Sequence, residues 1–173
     1  MLSILVVMGC ISGAREDSGF DRDSKELTGD TVSTNDEDPV VPLGFRFNEF
    51  LAKSSTTDDW IELYNAADES VDISGWGLVD DIDEDDPWFF PADSIIDSGE
   101  YLIVWADDGE EGEGFHATFK LSADGETVYL LDSSEQVLEQ VSFPPLDEDQ
   151  SYALQAEGSW IVTDQPSIQA ANE

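Results

Sequence analysis

The sequence predicts an all-β protein whose strands form a two-sheet sandwich. From residue 45 onward, short apolar stretches recur, and Gly, Asp, Ser and Pro separate them. No apolar run keeps helical spacing for more than a turn or two. About eight to ten short strands in roughly 120 residues fit two packed sheets.

The segment 59–65, DWIELYN, is predicted to be a central strand. Its side chains alternate between two faces: Trp60, Glu62 and Tyr64 share one, and Ile61 and Leu63 share the other. Both faces therefore carry large side chains, as in a strand that is covered on both sides.

A polar reversal at 66–70 leads into 71–76, VDISGW, where Gly75 permits a kink beside Trp76. We expect Trp60 and Trp76 to be buried core residues whose removal is costly.

The remaining segments also have strand patterns. The first contains a change of apolar phase between Phe47 and Phe50, which predicts a bulge. Segment 101–106 is apolar on both faces and is predicted to be a second central strand. In 115–121 the alternation is clean, with His116, Thr118 and Lys120 directed outward. The predicted strands besides 59–65 are 45–51, 71–79, 88–90, 101–106, 115–121, 127–131, 137–143, 152–155 and 160–162.

Several motifs resemble the lamin tail domain family in order and spacing. They are FNEF at 47–50, DWIELYN at 59–65, DISGW at 72–76, GEYLIV at 99–104, FKLS at 119–122 and GETV at 125–128. The resemblance extends over about 45–162 and implies an immunoglobulin-like β-sandwich that serves as an interaction module, without chemistry of its own. Bacterial members recur in secreted or surface proteins, often beside hydrolase domains. The chain departs from the family pattern at 163–168, and no hydrolase domain accompanies the predicted sandwich.

The charge of the chain is extreme. Forty-one Asp and Glu stand against six Lys and Arg, a formal net charge of −35. Such a surface repels a phosphate backbone, so nucleic acid is excluded as a partner. Solubility or adaptation to salt explains most of these carboxylates.

The N-terminus predicts a lipid anchor. An apolar run is followed by VMGC at 7–10, which resembles the lipobox of bacterial lipoproteins, so residues 1–9 are a predicted signal peptide and Cys10 is the lipidation site. No Lys or Arg precedes the apolar run, which suggests a signal peptide truncated at its start; the alternative is a lone cysteine after a chance apolar run.

The change in composition along the chain predicts the domain plan, and the anchor predicts the location. Residues 10–44 form an acidic, flexible and disordered linker, 45–164 the sandwich, and 165–173 a C-terminal tail. The predicted location is the cell envelope, in the outer membrane or at the surface of a Gram-negative cell, where Ile11 after the cysteine is typical; otherwise the protein is secreted.

Few side chains suggest catalysis. The sole cysteine, Cys10, excludes an intrachain disulfide and a cysteine zinc site, and the sole histidine, His116, is expected on the strand surface. Glu62, between two aromatic residues, is expected to be a partly buried, hydrogen-bonded structural acid. No carboxylate pair is distinguished by its spacing.

Two acidic loops, at 80–86 and 107–113, combine carboxylates with residues that permit tight turns. If successive strands run antiparallel, the connections 53–59, 80–87 and 107–114 all lie at one end of the sandwich. Oxygen-rich loops suit calcium, although neither has EF-hand spacing and solvated charge is the alternative. The predicted metal ligands are Asp80, Asp81, Asp83, Asp107 and Asp108.

These features favour a non-catalytic, surface-anchored binding, adhesion or scaffolding module, with calcium as a candidate stabilising ion. The expected partners are the membrane, through lipidated Cys10, and an unknown protein or envelope ligand. The alternatives are a carboxylate-based hydrolase and a purely structural calcium-loaded spacer. A hydrolase requires a concave site with a perturbed carboxylate pair, whereas a binding module requires an exposed patch.

Overall fold

A computed structural model of the chain describes residues 44–83 and 86–172. The predicted signal peptide, Cys10 and the predicted linker as far as residue 43 lie outside these residues. All regular secondary structure in the described residues is β-strand, so none of them belongs to a helix long enough to cross a membrane.

Twelve strands form three sheets within the described residues. A six-stranded sheet has the order β12-β11-β1-β2-β7-β8, a four-stranded sheet the order β10-β9-β4-β5, and β3 pairs with β6. The strands are β1 (Phe45–Leu51), β2 (Asp59–Asn65), β3 (Val71–Asp72), β4 (Gly77–Val79), β5 (Trp88–Phe89), β6 (Ile95–Ile96), β7 (Tyr101–Ala106), β8 (Phe115–Ala117), β9 (Glu126–Leu131), β10 (Val137–Phe143), β11 (Ser151–Leu154) and β12 (Trp160–Thr163).

One hydrophobic core joins the two larger sheets. Phe47, Phe50 and Leu63 of the six-stranded sheet and Leu78 and Leu130 of the four-stranded sheet belong to the same buried cluster, and all five are fully buried. This arrangement confirms the predicted immunoglobulin-like sandwich.

The predicted central strand is observed. β2 pairs with β1 on one side and with β7 on the other, both antiparallel. Trp60 is 1% exposed, as expected, because both faces of β2 are covered. The predicted bulge is also present, as a register shift between Phe47 and Glu49. The expectation that Trp76 is buried is wrong: its side chain is only partly buried and packs edge-on against Phe45, with ring centroids 5.4 Å apart.

The segment 71–79, predicted as one strand, is two. β3 pairs with β6, and β4 belongs to the four-stranded sheet. Between them the chain turns at Gly75, whose φ of 75° lies in the left-handed region, and the Ser74 N–H donates to Asp72 Oδ1. The partner β6 was not predicted, because two residues are too few to show an alternating pattern.

The segment 115–121 also differs from its prediction. The strand β8 is limited to Phe115–Ala117 and runs parallel to β7, although antiparallel order was expected. Gly109 and Gly114 have φ values of 71° and 107°, which let the loop 107–114 fold back beside β7. The Gly109 N–H donates to the Ala117 carbonyl, so the loop closes on the strand that follows it.

Candidate functional site

Two glutamates lie side by side in the six-stranded sheet. Glu49 of β1 and Glu62 of β2 are opposite each other in the strand register, and both are 0% exposed. The bulge next to Glu49 creates this pairing, since it shifts the register of β1 by one residue. The sequence pattern did not distinguish these two carboxylates as a pair.

Both oxygens of each carboxylate accept hydrogen bonds. Glu62 accepts from Asn48 Nδ2 at 2.7 Å and from the backbone N–H of Gln169. Glu49 accepts from the Ser151 hydroxyl and from the N–H and hydroxyl of Ser167. Burial raises the pKa of Glu62 to about 7 and also raises the pKa of Glu49, while these hydrogen bonds act in the opposite direction. Glu62 is therefore hydrogen-bonded, as predicted, but it is fully buried and not partly buried as expected.

Residues 165–172, which we call the C-terminal segment, cover this pair. Besides the donors from Ser167 and Gln169, the segment contributes Asn172, whose Nδ2 donates to the carbonyls of Asn48 and Leu154 at 3.1 and 2.9 Å. The single proton of the Ser167 hydroxyl is shared between Asn172 Oδ1 at 2.6 Å and Glu49 Oε2 at 3.1 Å. The part of the chain predicted as a tail is therefore bound to β1, β2 and β11.

A row of three side chains crosses the same sheet. Arg46, Tyr64 and Tyr101 are register partners on β1, β2 and β7. The Arg46 guanidinium lies 5.3 Å from the centroid of the Tyr64 ring, and the two tyrosine rings stack with centroids 4.4 Å apart and an interplanar angle of 24°. We call these three residues the Arg–Tyr row.

The Arg–Tyr row borders a cavity of about 290 Å³. Arg46 Nε and Gln155 Nε2, both on residues that line it, are buried and have no hydrogen-bond partner in the described part of the chain. The remaining lining residues come from β1, from the ends of β2 and β11 or just beyond them, and from the C-terminal segment: Asn48, Ala66, Leu154, Ala156, Ala171 and Asn172. This cavity was not predicted, because nothing in a linear sequence fixes the register of three strands.

The acidic loops meet at one end of the sandwich. Lys120 lines one cavity with Asp58 and Asp59 and a second, of about 290 Å³, with Asp80 and Asp108. The loops converge as the strand count predicted, although β8 does not have the direction assumed in that count. The Lys120 ammonium lies 3.3 Å from a carboxylate oxygen of Asp108.

The five predicted metal ligands have different surroundings. Asp80 and Asp108 border the same cavity, whereas Asp81 and Asp83 are exposed, and Asp81 Oδ1 accepts from the Asp83 N–H. Asp107 is buried and paired with His116. Within residues 44–83 and 86–172, no three acidic, histidine or cysteine side chains are grouped as a metal site. Residues 84 and 85, in the first acidic loop, lie outside the described residues.

His116 is not the exposed side chain that the alternation predicted. Its side chain is 17% exposed, and Nδ1 lies 2.6 Å from Asp107 Oδ2. This hydrogen bond raises the pKa of His116. Gly112 packs against the ring, since a Cβ at this position would lie 2.7 Å from Nε2. The contact depends on the folded-back loop, so the strand pattern could not have revealed it.

Comparison with known proteins agrees with the fold. The Lamin Tail Domain family model matches residues 44–145, more than half of the chain, and spans β1 to β10. The strands β11 and β12 and the C-terminal segment lie beyond the matched residues. None of the curated proteins compared with the chain matches it. The family has an immunoglobulin-like fold and is generally a non-catalytic binding module. The chain therefore belongs to the lamin tail domain family.

Proposed function

We propose that this protein is a non-catalytic binding module that is held at the cell envelope and serves adhesion or scaffolding. The proposal rests on the burial and hydrogen bonding of the Glu49–Glu62 pair. A hydrolase needs two perturbed carboxylates that substrate can reach. Here the two carboxylates are fully buried, and their own chain supplies their hydrogen-bond donors.

The surface around the pair supports binding rather than catalysis. The C-terminal segment lies over the pair, and the neighbouring Arg–Tyr row borders a cavity. Two residues that line the cavity, Arg46 and Gln155, each have a buried donor atom without a partner in the described part of the chain. Such a site is suited to ligand binding, because a guanidinium and aromatic rings hold a ligand by hydrogen bonds and stacking. Neither interaction requires an activated nucleophile. Membership of a generally non-catalytic family points the same way.

The attachment to the envelope rests on the sequence. Cys10 follows a lipobox-like motif, and lipidation at this cysteine gives a membrane anchor. One acyl chain binds only marginally, so the two or three chains of a bacterial lipoprotein are needed for stable attachment. The binding partner is then an envelope component or a protein near the cell surface.

Calcium remains a proposal for the acidic end. The support is the convergence of Asp80 and Asp108 on one cavity beside further carboxylates of the same loops. The ammonium of Lys120 lies at the same place and competes with a cation there. A purely structural, calcium-loaded spacer would use the same end without any partner.

The experiment measures the location of the protein in the cell and its release of soluble fragments from isolated envelopes. The full chain, preceded by a complete signal peptide, is compared with its Cys10→Ala variant by membrane fractionation, and its purified form is incubated with isolated envelopes. We expect the parent in the membrane fraction, the variant in the soluble fraction, and saturable binding without release of soluble fragments. Unchanged fractionation would refute the anchor. If the parent protein releases fragments and the Glu62→Gln variant does not, the protein is a hydrolase and not a binding module.

A further inference from the structure

We propose that the cavity beside the Arg–Tyr row binds one small monocarboxylate, with Arg46 as the group that receives the carboxylate. The inference goes beyond the proposed envelope function because it names a class of ligand. It is tested in solution, so it can fail while the anchor holds, and the anchor can fail while this site binds.

The first step is that Arg46 forms no close ion pair with a carboxylate of the described residues. The chain contains 41 Asp and Glu, yet the described residues include no ion pair or hydrogen bond of the Arg46 side chain. Its guanidinium lies over the Tyr64 ring and interacts electrostatically with the half-buried carboxylate of Glu139, which accepts a hydrogen bond from the Phe47 N–H. An arginine that borders a cavity and has no carboxylate within ion-pair distance keeps N–H groups available for an anion from outside.

The second step is that the guanidinium is held in place before a ligand arrives. Tyr64 supports it from one side, and Tyr101 stacks on Tyr64, so the three side chains form a continuous layer across three paired strands. A planar, fixed guanidinium presents its N–H groups in a fork that matches a carboxylate, and less conformational entropy is lost on binding.

The third step concerns the second unpartnered donor. Gln155 Nε2 is buried without an acceptor, as is Arg46 Nε, and both residues line the cavity. Buried donors without acceptors are rare in native proteins and unfavourable. A bound carboxylate that reaches either donor supplies the acceptor that this donor lacks.

The fourth step is size and charge. A volume of about 290 Å³ corresponds to roughly ten water molecules, and hence to about ten non-hydrogen atoms. Ala66, Leu154 and Ala171 give the cavity apolar walls that fit a short aliphatic body. The net charge of −35 repels polyanions far more than a single carboxylate. Two kinds of ligand have this size, a single negative charge and a short apolar body. They are the carboxyl end of a peptide with small residues and a free short-chain acid.

The test is a titration followed by NMR of the full chain, with N-acetylalaninate as the ligand and N-acetylalaninamide as its uncharged match. We expect N-acetylalaninate to shift the Arg46 Nε–H and Gln155 side-chain resonances with a Kd of the order of 1 mM, and the amide to bind at least tenfold more weakly. Butyrate separates the two sources. If butyrate binds as tightly as N-acetylalaninate, the ligand is a free short-chain acid. If butyrate binds at least tenfold more weakly, the ligand is the carboxyl end of a peptide.

Variants establish that Arg46 is responsible. Arg46→Gln should weaken binding at least tenfold, and Arg46→Lys, which keeps the charge but loses the fork, should weaken it severalfold with an otherwise parental spectrum. Lys53→Gln makes the same charge change at an exposed lysine of the acidic end and should alter Kd less than twofold. Equal binding of acid and amide, no shift of the two resonances, or an equal loss in Lys53→Gln would overturn the proposal.

Discussion

Glu49 and Glu62 lie directly opposite each other on adjacent strands, and neither is exposed to solvent. Two buried carboxylates that are both ionised lack solvation by water and repel each other. The repulsion from Glu49 therefore adds to the rise in the pKa of Glu62 that burial causes. The hydrogen bonds from the C-terminal segment offset part of this cost. The stability of the sandwich therefore depends on pH and on residues near the end of the chain.

The first prediction is that the domain becomes less stable as the pH rises towards 7. The pKa of Glu62 is about 7 in the folded state and 4.5 without the fold's influence, so between these values the folded state binds more protons. The free energy of unfolding then falls as the pH rises through this window, by up to a few kcal/mol. Chemical denaturation at pH 5 and pH 8 measures this change. Glu62→Gln should reduce it, while Glu100→Gln, at an exposed acid, should not.

The second prediction concerns the C-terminal segment. Asn172→Ala removes two hydrogen bonds to the carbonyls of Asn48 and Leu154 and the acceptor for Ser167, so we expect a loss of about 1–3 kcal/mol in the free energy of unfolding. Gln165→Ala, at an exposed position of the same segment, is the matched control and should remain within about 0.5 kcal/mol of the parent. Equal stability of both variants and the parent would show that the segment is not needed to cover the glutamates.

The third prediction separates the two tryptophans. Trp60→Ala should destabilise the domain by about 3–5 kcal/mol, because the indole is 1% exposed. Trp76 is partly buried and contributes an edge contact with Phe45, so Trp76→Ala should cost less, about 1–3 kcal/mol. Thermal melts of both variants check the order. A Trp60→Ala melt within a few degrees of the parent would contradict the position of Trp60 in the structure.

The fourth prediction concerns His116. Its pKa is raised by the hydrogen bond to Asp107, so the folded state favours the charged ring. This contribution is complete below the ordinary pKa of about 6.5 and is lost as the pH rises through the higher pKa of the folded state. The stability difference between the parent and His116→Gln should therefore be larger at pH 5.5 than at pH 9. A difference that does not change with pH would mean that the ring is held neutral.

The fifth prediction tests the acidic end. If calcium binds the native state, millimolar calcium should raise the melting temperature more than sodium chloride at the same ionic strength. The double variant Asp80→Asn and Asp108→Asn should lose this extra rise, because it alters two side chains of one cavity. Asp68→Asn with Asp93→Asn makes the same charge change at exposed positions outside the three acidic-end connections and should keep it. Equal rises in both salts would mean screening, and the metal site would be abandoned.

The sequence by itself determined which segments form the central strands. Alternation with large side chains on both faces predicts β2 and β7 with their observed bounds, and turn residues on either side define β10. These features depend on side chains within a few residues of one another, and the phase change that gives the bulge in β1 is equally local. The family resemblance rests on the same segments, so it is visible in the sequence as well.

The tertiary structure decided which side chains meet. The Glu49–Glu62 pair and the Arg–Tyr row depend on strand register, which places residues from β1, β2 and β7 side by side. The pairing of His116 with Asp107 depends on a loop that reverses through glycines with positive φ, and this reversal makes β8 parallel to β7. Register and loop direction follow from the packing of the whole sandwich, because a one-residue shift changes every neighbour across a sheet while leaving each strand's own pattern intact.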